Sequence, residues 1–81
     1  MEVIVYTQPG CHSCQQEKAW LLHHQIAFEE RDIRKNPAWI DEVIALGSDA
    51  TPTTVIRTQD GTEQIVVGFR TEDLRRYLLK P

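Results

Sequence analysis

The chain has 81 residues, nine of them Lys or Arg and twelve Asp or Glu, for a formal charge of −3 at pH 7. A domain of this length buries only a little over half of the surface its unfolded form exposes, which excludes a large enclosed active site and leaves a surface groove as the place for chemistry. No basic run exceeds Arg75-Arg76, so the concentrated positive face that phosphate binding needs is lacking and nucleic acid is not an expected partner.

Met1-Glu2-Val3-Ile4-Val5-Tyr6 puts an acid where an export signal carries basic residues, and its apolar run is too short to cross a membrane. A soluble, cytoplasmic protein is the expectation. Val3 to Thr7 is a continuous β-rich run that predicts an interior strand covered on both faces, ended by Gln8-Pro9-Gly10. Cys11 to about Gln25 predicts a helix, with Ala19, Leu22 and Ile26 on one stripe and Cys14, Lys18 and Leu21 on an adjacent one. Ala27 to Ile33 sets Phe28 and Ile33 among charges, as suits an edge strand. Asn36 as N-cap and Pro37 at the first helical position open a second helix, Gly47 closes it, and Trp39, Ile40, Val43 and Ile44 are its expected inner face. Thr53 to Thr58 reads as a strand, Gln59-Asp60-Gly61 as a turn and Gln64 to Val67 as the returning strand of a hairpin. Thr71 is the expected cap of a last helix, with Glu72 and Asp73 in its first turn and Arg75, Arg76 and Lys80 further on, matching the helix dipole at both ends.

The order β-α-β-α-β-β-α has no linker or repeat and predicts a single α/β domain over residues 1–81. The first crossover is right-handed with parallel strands and the hairpin is antiparallel, so a mixed four-stranded sheet flanked by three helices follows.

The chemistry sits in Cys11-His12-Ser13-Cys14, the only cysteines, at the junction of the first strand and helix. A thiol at a helix N-terminus meets unsatisfied amide N–H groups and the positive dipole end, both of which favour thiolate. The dipole alone contributes roughly 0.3–1 kcal/mol, less than one pKa unit at about 1.4 kcal/mol each; direct N–H···S contacts and a protonated His12 must supply the rest. Cys14 falls on the same helical face, about 5–6 Å away between Cβ atoms, and should be the more buried. Cys11 as attacking thiolate and Cys14 as resolving thiol is the mechanism this implies. A structural disulfide across so small a loop would stabilise little. A one-chain zinc site fails because His23 and His24 lie about 13 Å further along the helix. A cluster shared between two chains through Cys11 stands as the alternative.

Three separated segments resemble the glutaredoxin branch of the thioredoxin-like proteins: Tyr6-Thr7-Gln8-Pro9-Gly10-Cys11-His12-Ser13-Cys14, Thr51-Pro52, and Gly68-Phe69-Arg70-Thr71-Glu72-Asp73-Leu74. The resemblance implies a thioredoxin-like fold and a dithiol oxidoreductase acting on protein or glutathione mixed disulfides. It also implies that Pro52 is cis and leaves the Thr51 backbone to pair with an extended peptide or glutathione. On the same basis Gln8, His12, Thr51, Pro52, Gly68, Phe69 and Arg70 are the expected substrate-facing set. Many glutaredoxins carry Lys at the place of Gln8 and a double glycine at Phe69-Arg70, which weakens the case for glutathione, although Arg70 could replace the lost cation. Gly68-Phe69-Arg70 is closer to the NrdH-redoxins, electron donors to ribonucleotide reductase recycled by thioredoxin reductase. The resemblance thus implies no tightly bound cofactor, glutathione or thioredoxin reductase as electron source, disulfide-containing proteins as partners, and a monomer. Its alternative form is a glutathione-assisted iron–sulfur cluster carrier. His23 and His24 read as solvated, Trp20 and Trp39 as core; Tyr6 ends the first strand near the thiols.

Overall fold

The computed structural model describes residues 1–79, so the Lys80 assigned to the last helix lies outside the described residues. Strand β1 (Glu2–Thr7) forms where Val3 to Thr7 run without alternation, and none of these five residues is more than 5% exposed. Such a run needs cover on both faces, and the sheet order β2-β1-β3-β4 places it inside. β2 (Glu29–Asp32) lies parallel to β1, β3 (Thr53–Arg57) antiparallel to it, and β4 (Glu63–Val67) antiparallel to β3. Val5 stands opposite Glu30 on one side and Thr54 on the other, and Thr54 stands opposite Val66.

Alternation along β1 splits the interior into two layers. Ile4, Tyr6 and Val55 meet Val43 of α2 (Pro37–Ala45), with Ile33, Trp39 and Leu46 packed around them. On the opposite face, Val3 and Val5 meet Leu21 of α1 (His12–His23), and Ile56 and Val66 meet Leu74 of α3 (Thr71–Leu78). Trp20 bridges those two clusters. The expected mixed four-stranded sheet with three flanking helices is thus the fold, thioredoxin-like in its βαβαββα order. Among the described residues no helix is long and apolar enough to cross a membrane.

Local chemistry sets the ends. Asn36 caps α2 by accepting the Ala38 N–H at 3.0 Å, with Pro37 next to it, and Gly47 ends that helix. α1 stops at His23, two residues short of the expected end, and Gln25 turns the chain away with a left-handed φ of 58°. Three expectations are corrected. On α1 the stripe of Cys14 and Leu21 lies inside, but with Glu17 in place of Lys18, none of the three more than 1% exposed, while on the adjacent stripe Ala19 faces solvent and Leu22 is 68% exposed. The exit of β1 starts the helix at Cys11, and with that phase fixed residues 14, 17 and 21 look down on the sheet whatever their polarity. On α2, Ile40 and Ile44 are 41% and 63% exposed, because one row, Trp39 and Val43, already covers the small sheet. The cap position of α3 falls to Arg70 without a side-chain bond, since the Leu74 N–H already bonds the Arg70 carbonyl at 3.0 Å and draws Thr71 into the helix.

Candidate active site

The turn leaving β1 closes with the Cys11 N–H on the Gln8 carbonyl at 3.3 Å and passes Gly10 at φ 79°, a conformation that strains any residue with a Cβ. Cys11 lands as the N-cap of α1, where its Sγ accepts the Cys14 N–H at 3.1 Å. Oxygen of Ser, Thr or Asp usually takes this role; sulfur taking it puts the helix's unsatisfied amides on the thiol. Cys11 and Cys14 are joined in a disulfide, with Cα atoms 5.2 Å apart. Cys11 is half-buried, and Cys14 is 1% exposed. An incoming group therefore meets Cys11 first.

Two further loops converge on that sulfur. The Thr51-Pro52 bond is cis, as the resemblance implies, and the Thr51 carbonyl lies 3.6 Å from Cys11 Sγ. Ser48 and Thr53 pin this loop from inside, their hydroxyls 2.7 Å apart and Thr53 donating to the Ala50 carbonyl at 2.6 Å. Gly68, at φ 84°, donates its N–H to the Pro52 carbonyl at 2.8 Å and ties the third loop to the second. Gln8 donates to Thr51 Oγ1 at 3.0 Å, tying the first loop to it as well. Its amide holds the site together.

Bonds thus link Gln8, Cys11, Cys14, Thr51, Pro52 and Gly68. His12 is exposed on the first turn of α1. Phe69 turns inward against Ile56, Val66 and Leu74, and the exposed Arg70 spends its Nε–H on the Val67 carbonyl at 3.2 Å. Both stand with Thr71, Glu72 and Asp73 around a groove of about 300 Å³ at the start of α3. Tyr6 does not approach the thiols. It faces α2, where its hydroxyl donates to Glu42 at 2.7 Å and accepts from Arg31 at 3.2 Å. Burial and the Glu42 bond raise its pKa, whereas the Tyr6 hydroxyl and Arg31 hold Glu42 below the ordinary carboxylate value.

Sequence reasoning missed two features. Beside Gln8 and Thr51 a groove of about 250 Å³ is walled by Ile33, Ile40, Val43 and Ile44, with Asp49 the one ionisable side chain among its lining residues. The other is Glu17, wholly buried, with Oε2 accepting from the Thr54 hydroxyl. Burial pushes its carboxyl up to about 7 against that hydrogen bond. The three-residue spacing from Cys14, which sets both on one helical face, was the available signal.

A glutaredoxin family model matches residues 3–60. The chain belongs to the glutaredoxin family. The glutaredoxin-like protein NrdH of Lactococcus lactis subsp. lactis is 35% identical over 74 residues, covering 91% of this chain and 96% of that one. The global transcriptional regulator Spx of Enterococcus faecalis is 42% identical over 62 residues, which is 76% of this glutaredoxin chain but 41% of Spx. The chain thus spans about two fifths of the length of the Spx relatives. Among solved structures, the thioredoxin-like protein BC3987 superposes with a TM-score of 0.83 at 38% identity, over 95% of this chain and all of that one.

Proposed function

We propose that this glutaredoxin-family chain is a dithiol electron donor that reduces disulfides of other proteins in a reducing cytoplasm. Cys11 is the nucleophile and Cys14 the resolving thiol. The observation that carries the reading is the capping sulfur: the Cys14 N–H aimed at Cys11 Sγ from 3.1 Å is a donor already in place for a thiolate. The Cys11 thiolate attacks one sulfur of a substrate disulfide, that S–S bond breaks, and the leaving thiolate takes a proton from solvent. Cys14 then loses its proton and attacks Cys11 Sγ, which breaks the mixed disulfide and releases the second substrate thiol. Two electrons have passed to the substrate, and the Cys11–Cys14 disulfide of the structure is the product state.

Protein disulfides fit the surroundings better than glutathione does. The groove beside Thr51 is apolar with a carboxylate at Asp49 and suits an apolar side chain flanking a substrate cysteine. Glutathione brings two carboxylates, and Gln8, already bonded to Thr51, gives them no cation. Together with the NrdH relatives, this favours thioredoxin reductase as electron source and a ribonucleotide reductase as partner. The test is turnover of a protein disulfide with thioredoxin reductase compared with glutathione and its reductase, alongside Cys14→Ser. Thioredoxin reductase should sustain the faster turnover, and Cys14→Ser should accumulate a mixed disulfide through Cys11. Failure to trap any adduct contradicts the mechanism.

The Spx relatives favour a second reading, in which a partner protein in transcription control reads the oxidation state of the same cysteine pair. Negligible turnover with either reductase, together with partner binding that changes on oxidation, would select it.

A further inference from the structure

Among the described residues Glu17 is the only fully buried carboxyl group, and its Oε1 is a buried polar atom without a hydrogen-bond partner. Leaving such an oxygen unpaired carries a desolvation penalty, and a Leu or Met would fill the space without it. Where the carboxyl sits narrows the reasons for keeping it. Glu17 follows Cys14 by three residues on the inner face of α1, and helical side chains lean toward the N-terminus, so its carboxyl reaches back toward the turn that carries Cys14. Its second anchor, Thr54, lies two residues past the cis Pro52 and on the same face of the sheet. The acid is thus held, with Cys14, in the closed layer between α1 and the sheet, where neither is more than 1% exposed.

We propose that Glu17 takes the proton from the Cys14 thiol as Cys14 attacks the mixed disulfide, and gives it back when the pair is reduced. The inference rests on the dithiol reading above and supplies the proton route which that reading leaves open. In the resolving step the Cys14 S–H proton passes to the Glu17 carboxylate, Cys14 sulfur bonds to Cys11 Sγ, and the bond from Cys11 to the substrate sulfur breaks. The departing thiolate is protonated by solvent. When a reductase thiol pair later delivers two electrons, the Glu17 carboxylic acid returns the proton to Cys14 and Cys11 is left as thiolate. In the disulfide Cys14 carries no proton and Oε1 has no donor; the Cys14 thiol of the reduced protein is the donor this cycle assigns to it.

The surroundings leave few rivals for that proton. Thr54 of β3 is bonded to the Glu17 carboxyl, and the buried clusters on this side of the sheet, Val3, Val5 and Leu21 and Ile56, Val66 and Leu74, carry no titratable group. Lys18 of α1 and Glu30 of β2 pair with each other at 3.0 Å, with Thr7 also on Glu30. On α3, Arg76 reaches toward Asp73 at 3.8 Å and Arg75 lies over Trp20. A carboxyl pushed up to about 7 by burial is available in both protonation states at neutral pH, as an acceptor in one half of the cycle and a donor in the other requires.

The test follows release of a chromogenic thiol from the Cys11 mixed disulfide by stopped flow between pH 5 and 9. Glu17→Gln should slow release on the order of 100-fold at pH 7 and abolish a pH inflection near 7, while alkylation of Cys11 proceeds at the wild-type rate. Thr54→Val keeps the acid but removes the hydroxyl that lowers its pKa, so its inflection should move to higher pH; this variant carries the test should Glu17→Gln not fold. Release unchanged in Glu17→Gln, or an inflection unmoved in Thr54→Val, overturns the proton route and leaves the oxidoreductase reading intact. A wild-type protein that forms no mixed disulfide overturns both.

Discussion

Replacing Glu17 by Gln should make the stability of the disulfide form far less dependent on pH between 4 and 8. In the folded chain the carboxyl is buried and pushed up from 4.5 to about 7, with burial the larger cause and the Thr54 hydrogen bond opposing it. A folded pKa above the unfolded one means that the native state binds more protons across that window, so raising the pH favours unfolding. Below 4.5 both states hold the proton and nothing is lost; above about 7 the whole penalty is present. Moving a carboxyl over that interval corresponds to about 3 kcal/mol, a large share of the stability of a small domain. Glutamine fills the same volume without an ionisable group. On going from pH 4 to pH 8 the stability difference between variant and wild type should therefore shift by about 3 kcal/mol in the variant's favour, or roughly 12–24 °C in Tm for a chain of this size. Urea and thermal unfolding of the oxidised proteins, followed by circular dichroism at half-unit pH intervals, read this directly. Glu30 and Glu42 lie below their ordinary values, so their contributions are lost at the acid end of the range, equally in the two proteins, and cancel in the difference. Parallel pH curves for the two proteins would refute the reasoning.

The groove beside Thr51 predicts that Ile44→Glu, at a side chain 63% exposed, changes stability by less than about 0.5 kcal/mol yet raises KM for a protein disulfide several-fold. Turnover of a small disulfide such as cystine should stay unchanged, and an equal loss on both substrates would contradict the groove's role. Tyr6→Phe removes the hydroxyl from the Glu42–Arg31 pair and should cost about 1 kcal/mol in urea unfolding. Disulfide turnover should be unaffected, because Tyr6 faces α2; a fall in turnover would place it at the thiols after all.

What was legible in the sequence followed from rules that hold whatever the tertiary context. The unbroken run Val3 to Thr7 can lie only in a doubly covered strand, and Asn36-Pro37 and Gly47 mark helix α2 through backbone chemistry alone. Cys11 and Cys14 stood out because thiols at a helix start have few other uses. On the inner face of α1, Cys14 and Leu21 were legible but Glu17 was hidden, because hydrophobicity does not set that position. The phase comes from where β1 releases the chain, so a glutamate goes in and Leu22 stays out. A lone acid on a short polar helix reads as solvated, and only its distance from Cys14 hinted otherwise. Ile40 and Ile44 read as core for the complementary reason: their row is apolar, and only the narrow sheet beneath α2 leaves it uncovered. Gln8 and Phe69 belong to the substrate-facing set by position in a motif; Gln8 bonds Thr51 and lines the groove beside it, and Phe69 packs on the cluster around Leu74 while lining the groove at the start of α3.

The capped sulfur is the centre of the account, and alkylation of the reduced protein tests it most directly. With limiting iodoacetamide at pH 6, mass mapping should find Cys11 modified many times faster than Cys14 and faster than a free cysteine at the same pH. A Cys11 that reacts no faster than the free amino acid would show that the amides of α1 do not hold its thiolate, and would contradict the proposed mechanism at its first step.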